Sequence, residues 1–240
     1  MARARRIGTL MDTTTDPQTD RPRTNAELRE EATGRMIDTA IRLVAERGAT
    51  RLSLVDVGRE SGYSHSLPNY YFKTKKQLLV QVYTRIVANF QQRAKVWAKA
   101  HARTPLRPGL SHLESTIGAY CNLSTDGPGA RAMHALWAES ISSMPELLED
   151  VRPLNQRSLQ MFEEQIRIAI QRGEIDPGVD VESLAVMIFG MLRGVVAQWL
   201  IDPERVDLAR VADAAIAVLH KGLAPAPSPP ASPTTLHAET

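Results

Sequence analysis

The segment Glu60–Lys76, ESGYSHSLPNYYFKTKK, gathers side chains suited to one kind of chemistry. His65, Ser66 and Asn69 carry short polar groups that can hydrogen-bond base edges. Tyr70, Tyr71, Thr74 and Lys75 suit phosphate oxygens, which hold a protein in register on a duplex without reading it. Lys73 and Lys76 add charge that releases counterions from a polyanion. The surrounding charge agrees. Residues 61–113 hold 9 Lys/Arg and no acid, whereas residues 114–240 hold 9 Lys/Arg against 17 acids. An acid-free stretch is drawn to a polyanion, and the acidic remainder points to a separate task.

The elements that must position this set read as helices throughout. Met36, Ile37, Ala40, Ile41, Leu43 and Val44 recur at helical spacing from about Asn25 to Arg47, where Gly48 stops the run. Ser53-Leu54-Val55-Asp56 resembles a capping box and opens a second helix that ends near Ser61-Gly62. A short third helix follows Ser64, about His65–Phe72, with Pro68 inside it. If Ser64 caps this helix, Pro68 is its fourth residue and removes one hydrogen bond; if Ser66 caps it, Pro68 is the second residue and removes none. Two helices about a glycine turn, packed on a preceding helix, make a helix-turn-helix unit whose last element enters the major groove.

Here the chain resembles a known family. Glu46-Arg47-Gly48, Ser61-Gly62-Tyr63-Ser64, Asn69-Tyr70-Tyr71-Phe72 and Thr74-Lys75 follow, over residues 32–82, the pattern of the N-terminal domain of TetR-family bacterial repressors. The resemblance implies that Ser53 and Ser64 cap helices and touch phosphate, and that Tyr70 and Lys75 grip the backbone. It implies that His65, Ser66 and Asn69 face the major groove. Phe72 is expected in the small core. Departures are Asn69 and Tyr71 where Tyr and His are frequent, Gly58 where Ala is usual, and Lys76 where an acid is common.

Beyond Pro105 and Pro108 the pattern stays helical: Leu110–Leu123, Ala130–Ile141, a long helix from Pro145 to Arg172, one capped by Asp180 to about Leu200, and one capped by Asp207 to about Lys221. The fold class is therefore all-α: a three-helix DNA-binding domain over 27–76 and a larger helical domain over 77–222. A polar arm (1–26) and a Pro-rich tail (223–240) read as disordered. The family resemblance implies that the larger domain binds a small-molecule inducer and forms a homodimer, which suits a palindromic double-stranded operator. Helix 184–200 is apolar nearly all round and needs covering, so the last two helices are the expected dimer interface. Arg193 at its centre speaks against a membrane span. Tyr120, Met133, His134, Trp137, Phe162, Met187 and Arg193 are the candidate ligand-binding residues. Arg193 needs a partner, either an acid such as Glu139 or an anionic ligand group, and the acid is preferred.

Enzyme chemistry finds no support in the sequence. There is no Gly-rich phosphate loop, no Cys/His metal spacing and no nucleophile elbow, so neither a cofactor nor a metal is expected. A single cysteine, Cys121, and an N-terminus without an apolar run fit the cytoplasm. The stretch from residue 109 loosely resembles the C-terminal domain of betaine-inhibitor-type repressors. Repression rather than activation comes from the family resemblance alone; a ligand-independent or activating regulator is the alternative.

Overall fold

In the computed structural model, residues 24–101 and 107–225 are described. They form nine α-helices and one 3₁₀ turn: α1 (Asn25–Arg47), α2 (Leu54–Ser61), α3 (Leu67–Phe72), α4 (Lys75–His101), α5 (Leu110–Leu123), α6 (Gly129–Ser140), the turn Pro145–Leu147, α7 (Leu148–Gln171), α8 (Val181–Ile201) and α9 (Leu208–Leu223). The fold is all-α, with a helix-turn-helix arrangement at the N-terminus and a larger helical bundle after it. Residues 1–23 of the polar arm and 226–240 of the Pro-rich tail lie outside the described residues; Asn25 and Ala26 belong to α1 and Leu223 to α9.

Local chemistry sets the ends of these helices. The Thr24 hydroxyl accepts the Glu27 N–H at 3.2 Å while the Glu27 carboxylate accepts the Thr24 N–H at 2.6 Å, so two orphan donors are satisfied reciprocally. Asp180 and Asp207 cap α8 and α9 as expected, each accepting two first-turn N–H groups. The long helix expected from Pro145 begins instead as the 3₁₀ turn and becomes α-helical at Leu148. A second proline, Pro153, lies inside α7.

Two apolar cores divide the molecule. The first joins Met36, Ala40 and Val44 of α1 with Val57, Phe72, Leu78 and Val82. Ala132, Met133 and Leu136 of α6, with Met144 and Leu147 after it, belong to this same core. The second unites Ile117 of α5, Phe162 and Ile166 of α7, Ile188 and Leu192 of α8, and Ala212 and Leu219 of α9. Thus α6 is built into the N-terminal core although it follows α5 in the chain. By length and composition α8 could cross a membrane, but it packs in the second core against its neighbours.

Candidate nucleic-acid interface and ligand cavity

The short helix α3 is held from behind by its aromatic and proline residues. Phe72 and Pro68 are buried, whereas Ser64, His65, Ser66, Asn69 and Tyr70 are all exposed, Tyr70 at 71%. Ser66 occupies the N-cap position and Pro68 the second helical position, where no backbone bond is lost. This settles the alternative left open by the sequence. His65 and Ser66 therefore stand in the turn ahead of α3, not in its first turn. Ser64 does not cap α3; its hydroxyl lies 3.2 Å from that of Ser66, and its carbonyl accepts the Leu67 N–H at 3.1 Å. Ser53 does cap α2, accepting the Asp56 N–H at 3.1 Å and donating its hydroxyl to the Asp56 carboxylate at 2.5 Å. Thr74 caps α4 by accepting the Gln77 N–H at 3.1 Å. Tyr71 is half-buried, edge-on to Tyr70, with the Arg29 guanidinium 5.5 Å from its ring centroid.

Gly58 makes this turn possible. A Cβ there would lie 2.7 Å from the Ser64 carbonyl oxygen and 3.3 Å from Pro68 Cδ, so the turn is pressed directly onto the α2 backbone. The neighbouring acid is neutralised. Glu60 bonds Arg42 at 2.8 Å and Arg47 at 2.9 Å, and these two guanidinium groups hold its carboxyl below the ordinary carboxylate range.

Lys75 sits at a junction. Its ammonium donates to the Thr50 carbonyl at 2.7 Å, and burial lowers its pKa while Glu139 and Glu146 oppose that fall. Glu139, on α6, accepts the Ala49 N–H at 2.9 Å and both the N–H and the hydroxyl of Thr50 at 2.5 Å. Its close approach requires Gly48, where a Cβ would come within 2.5 Å of the carboxylate. One carboxylate of α6 thus grips the loop between α1 and α2, and Lys75 at the start of α4 grips the same loop. Lys76 reaches Asp150 of α7 at 3.0 Å.

The other face of α6 walls an open cavity of about 980 Å³, lined by α4, α5, α6, α7 and α8 and by Asp38 and Ile41 of α1. Of the candidate ligand-binding residues, Tyr120, Met133, His134, Trp137 and Phe162 line it. Most of the rest is apolar, including Ile86 and Phe90 of α4, Met161 of α7 and Phe189 of α8. Trp137 Nε1 donates to the Tyr83 hydroxyl at 3.4 Å, and the His134 ring nitrogens lie 2.8 Å from the Ala130 carbonyl and 3.0 Å from the Arg193 carbonyl. Burial raises the pKa of the Tyr120 phenol, so it stays a neutral donor.

Two of the expected ligand-binding residues are placed elsewhere. Met187 is 55% exposed on the outer face of α8, because the cavity face of that helix carries Phe189 and Val196 instead. Arg193 lies behind the wall, its guanidinium 3.6 Å from the Trp137 ring centroid and 4.0 Å from that of Phe189. Its partner is the Asn155 amide oxygen at 2.7 Å, not Glu139, which is committed to the α1–α2 loop.

Comparison with known proteins agrees with this geometry at both ends of the chain. Residues 36–82 match the tetR family of bacterial regulatory proteins, and residues 110–218 match the tetracyclin repressor-like C-terminal domain. The chain belongs to the TetR family of transcriptional regulators. Among TetR-like proteins, the fatty acid metabolism regulator protein of Bacillus subtilis is 24% identical over 190 residues, covering 78% of this chain and 93% of that protein. A TetR-family regulator from Rhodococcus sp. has the same fold with a TM-score of 0.68 at 19% identity, covering 80% of this chain and 99% of that one. The B. subtilis regulator FadR, solved in complex with stearoyl-CoA, gives a TM-score of 0.64 at 22% identity, covering 79% and 98%.

Within this TetR-family chain, sequence reasoning missed Thr50 and Asn155, and it gave Glu139 to Arg193 rather than to the α1–α2 loop. Glu139 and Asn155 lie on helices with several polar positions, so only the packing of α6 on α1 and of α7 on α8 singles them out. Gly58 was visible as a departure from the family pattern; its cause, the Ser64 carbonyl, was not.

Proposed function

We propose that the chain is a cytoplasmic homodimer that reads a palindromic operator, represses transcription there, and is released when a small apolar or amphipathic ligand fills the cavity. The observation that carries this reading is the double attachment of α6. One face contributes Met133, His134 and Trp137 to the cavity, while Glu139 on the same helix holds the loop that leads into α2. A ligand that displaces the Trp137 side of the wall moves α6, and with it the Ala49–Thr50 loop and the start of α4. The two reading helices of a dimer must stand one turn of DNA apart, about 34–36 Å, so a modest tilt of each head misplaces both. Coupling of this kind is typically worth about 1–3 kcal/mol, or roughly 5–150-fold in operator affinity.

His65, Ser66 and Asn69 are the proposed base-reading residues. Ser53, Ser64, Tyr70, Tyr71, Thr74 and Lys75 are proposed to hold phosphates. The capping roles of Ser53 and Thr74 leave them at helix N-termini, where backbone N–H groups also favour an anion. Dimerisation is assigned to α8 and α9. Val186, Met187 and Val218 are exposed there, and nothing lies within 4 Å of a Cβ built at Gly190 or Gly194, so a second helix can approach closely. The loose likeness to betaine-inhibitor-type repressors names no ligand. A footprint on the DNA upstream of its own gene, paired with sedimentation, tests the reading. Two protected half-sites about 10 base pairs apart, bound by a dimer, are expected; a single unpaired site bound by a monomer would overturn it.

A further inference from the structure

The charges around the cavity do not balance. Its wall carries two carboxylates, and both are already paired, Asp126 with Arg93 and Asp38 with Arg85 at 3.5 Å. Lys95 and Arg157 share that wall and make no ion pair or hydrogen bond among the described residues. Arg193 stands behind it, its charge spread against the Trp137 and Phe189 ring faces. The one hydrogen-bond partner of its guanidinium among the described residues is a neutral amide, and its Nε is buried with no partner. Burial disfavours the Arg193 charge, and the neighbouring Tyr83 and Tyr120 phenols oppose that effect. Tyr120 fronts the cavity and its hydroxyl makes no hydrogen bond among the described residues.

A cation in such a place is stabilised by ring faces or by an anion. The rings are present; the anion is not part of the chain. We propose that the cavity takes an amphipathic anion, a single carboxylate or phosphate head on a long apolar chain, with the head on the Tyr120–Arg193 side and the chain along the apolar remainder. This deepens, and rests on, the ligand-responsive reading above. The volume is at the upper end of the range for small-molecule pockets, roughly 300–1,000 Å³, which suits a chain of a dozen carbons or more. Lys95 and Arg157 are exposed and solvated, so they draw anions toward the opening but hold them weakly. Arg193 does not line the cavity; from behind the Trp137 and Phe189 rings, in a drier setting where charges act more strongly, its charge favours an anionic head on that side. A quaternary ammonium would instead meet three unmatched cations.

The test uses the full chain and four probes that share a twelve-carbon tail, all below their micellar concentrations: dodecanoate, dodecyl phosphate, dodecanol and dodecyltrimethylammonium. Binding is followed by calorimetry and by tryptophan fluorescence, with a Trp137→Phe control to assign the change. The expected result is that one or both anions bind at least tenfold more tightly than the alcohol and the ammonium, the stronger of the two naming the head. Arg193→Gln is expected to keep alcohol binding and to erase this preference, and Arg193→Lys to restore part of it. Should Arg193→Gln fail to fold, Tyr120→Phe is expected to lower anion binding alone. Equal binding of the alcohol, tighter binding of the ammonium, or no binding of any probe would overturn the proposal. So would a preference that survives Arg193→Gln and disappears in Lys95→Gln/Arg157→Gln. Operator binding measured on the same preparations separates this failure from failure of the DNA-binding reading.

Discussion

Replacing Gly58 by alanine is the sharpest perturbation of the proposed reading head. The new methyl group would sit 2.7 Å from the Ser64 carbonyl oxygen, a backbone atom that cannot rotate away. To reach ordinary contact the Ser64–Ser66 turn must retreat by about 0.5–0.7 Å. Overpacking of this kind costs about 1–3 kcal/mol, and alanine recovers about 0.8–1 kcal/mol of helix propensity, so the net loss is about 1 kcal/mol. For a chain of this size that lowers Tm by roughly 2–4 °C. The functional loss is larger than the stability loss, because the turn that moves carries His65 and Ser66. One misplaced base contact is worth about 1–3 kcal/mol, so operator affinity should fall by about tenfold or more. Thermal unfolding followed by circular dichroism, with operator titration by fluorescence anisotropy, measures both. A Gly58→Ala protein that unfolds at the wild-type temperature and binds its operator with unchanged affinity would refute the reasoning.

Three further outcomes follow from the same geometry. Glu139→Ala removes the acceptor for three donors of the α1–α2 loop; it should lower stability by about 2 kcal/mol, roughly 4–8 °C in Tm, and weaken ligand-driven release more than DNA binding itself, read by operator titration with and without a bound probe. Pro68→Ala loses no hydrogen bond and gains none within the helix, since its N–H would be an orphan first-turn donor; it should fold normally and bind operator about threefold to tenfold more weakly, by freeing the start of α3, and unchanged affinity would count against a stiffening role. Burial pushes the Cys121 thiol up to about 11, so at pH 8 the thiolate is roughly one part in a thousand. A thiol reagent should react at least 100-fold more slowly with the native chain than after unfolding. Because the unfolded thiol ionises first, stability should fall as pH rises from the ordinary thiol range toward that value.

The sequence placed most helices because their determinants are local. Asp180 and Asp207 cap α8 and α9, Gly48 ends α1, and Leu110–Leu123 is α5 to the residue. The exposed polar set around α3 was legible for the same reason, since Phe72 and Pro68 turn inward, Leu67 and Tyr71 pack partly against the core, and Ser64, His65, Ser66, Asn69 and Tyr70 are left outward. What could not be read was the choice of face on helices that are apolar on several sides. On α8, Met187 and Phe189 are both apolar, and only the position of α6 and α7 decides that Phe189 walls the cavity while Met187 faces outward. Arg193 shows the same limit. Its need for a partner followed from burial, but the identity of that partner depended on α7 bringing Asn155 alongside, and on α6 having already turned Glu139 toward Thr50. The sequence leaves the start of α3 open between two caps, Ser64 and Ser66, and the structure takes Ser66, with the Ser64 carbonyl pressed onto Gly58 across the turn.

The central claim, that this TetR-family chain reads DNA sequence through the surface around α3, is tested most directly by binding of the purified protein to its own upstream DNA and to a scrambled duplex across a salt series. The account predicts a preference for the upstream DNA of about 10³-fold or more, with affinity falling steeply as salt rises. It also predicts that Asn69→Ala reduces the preference while leaving the salt slope unchanged. Equal, weak binding to both duplexes, and to every fragment in a genome-wide selection, would contradict it.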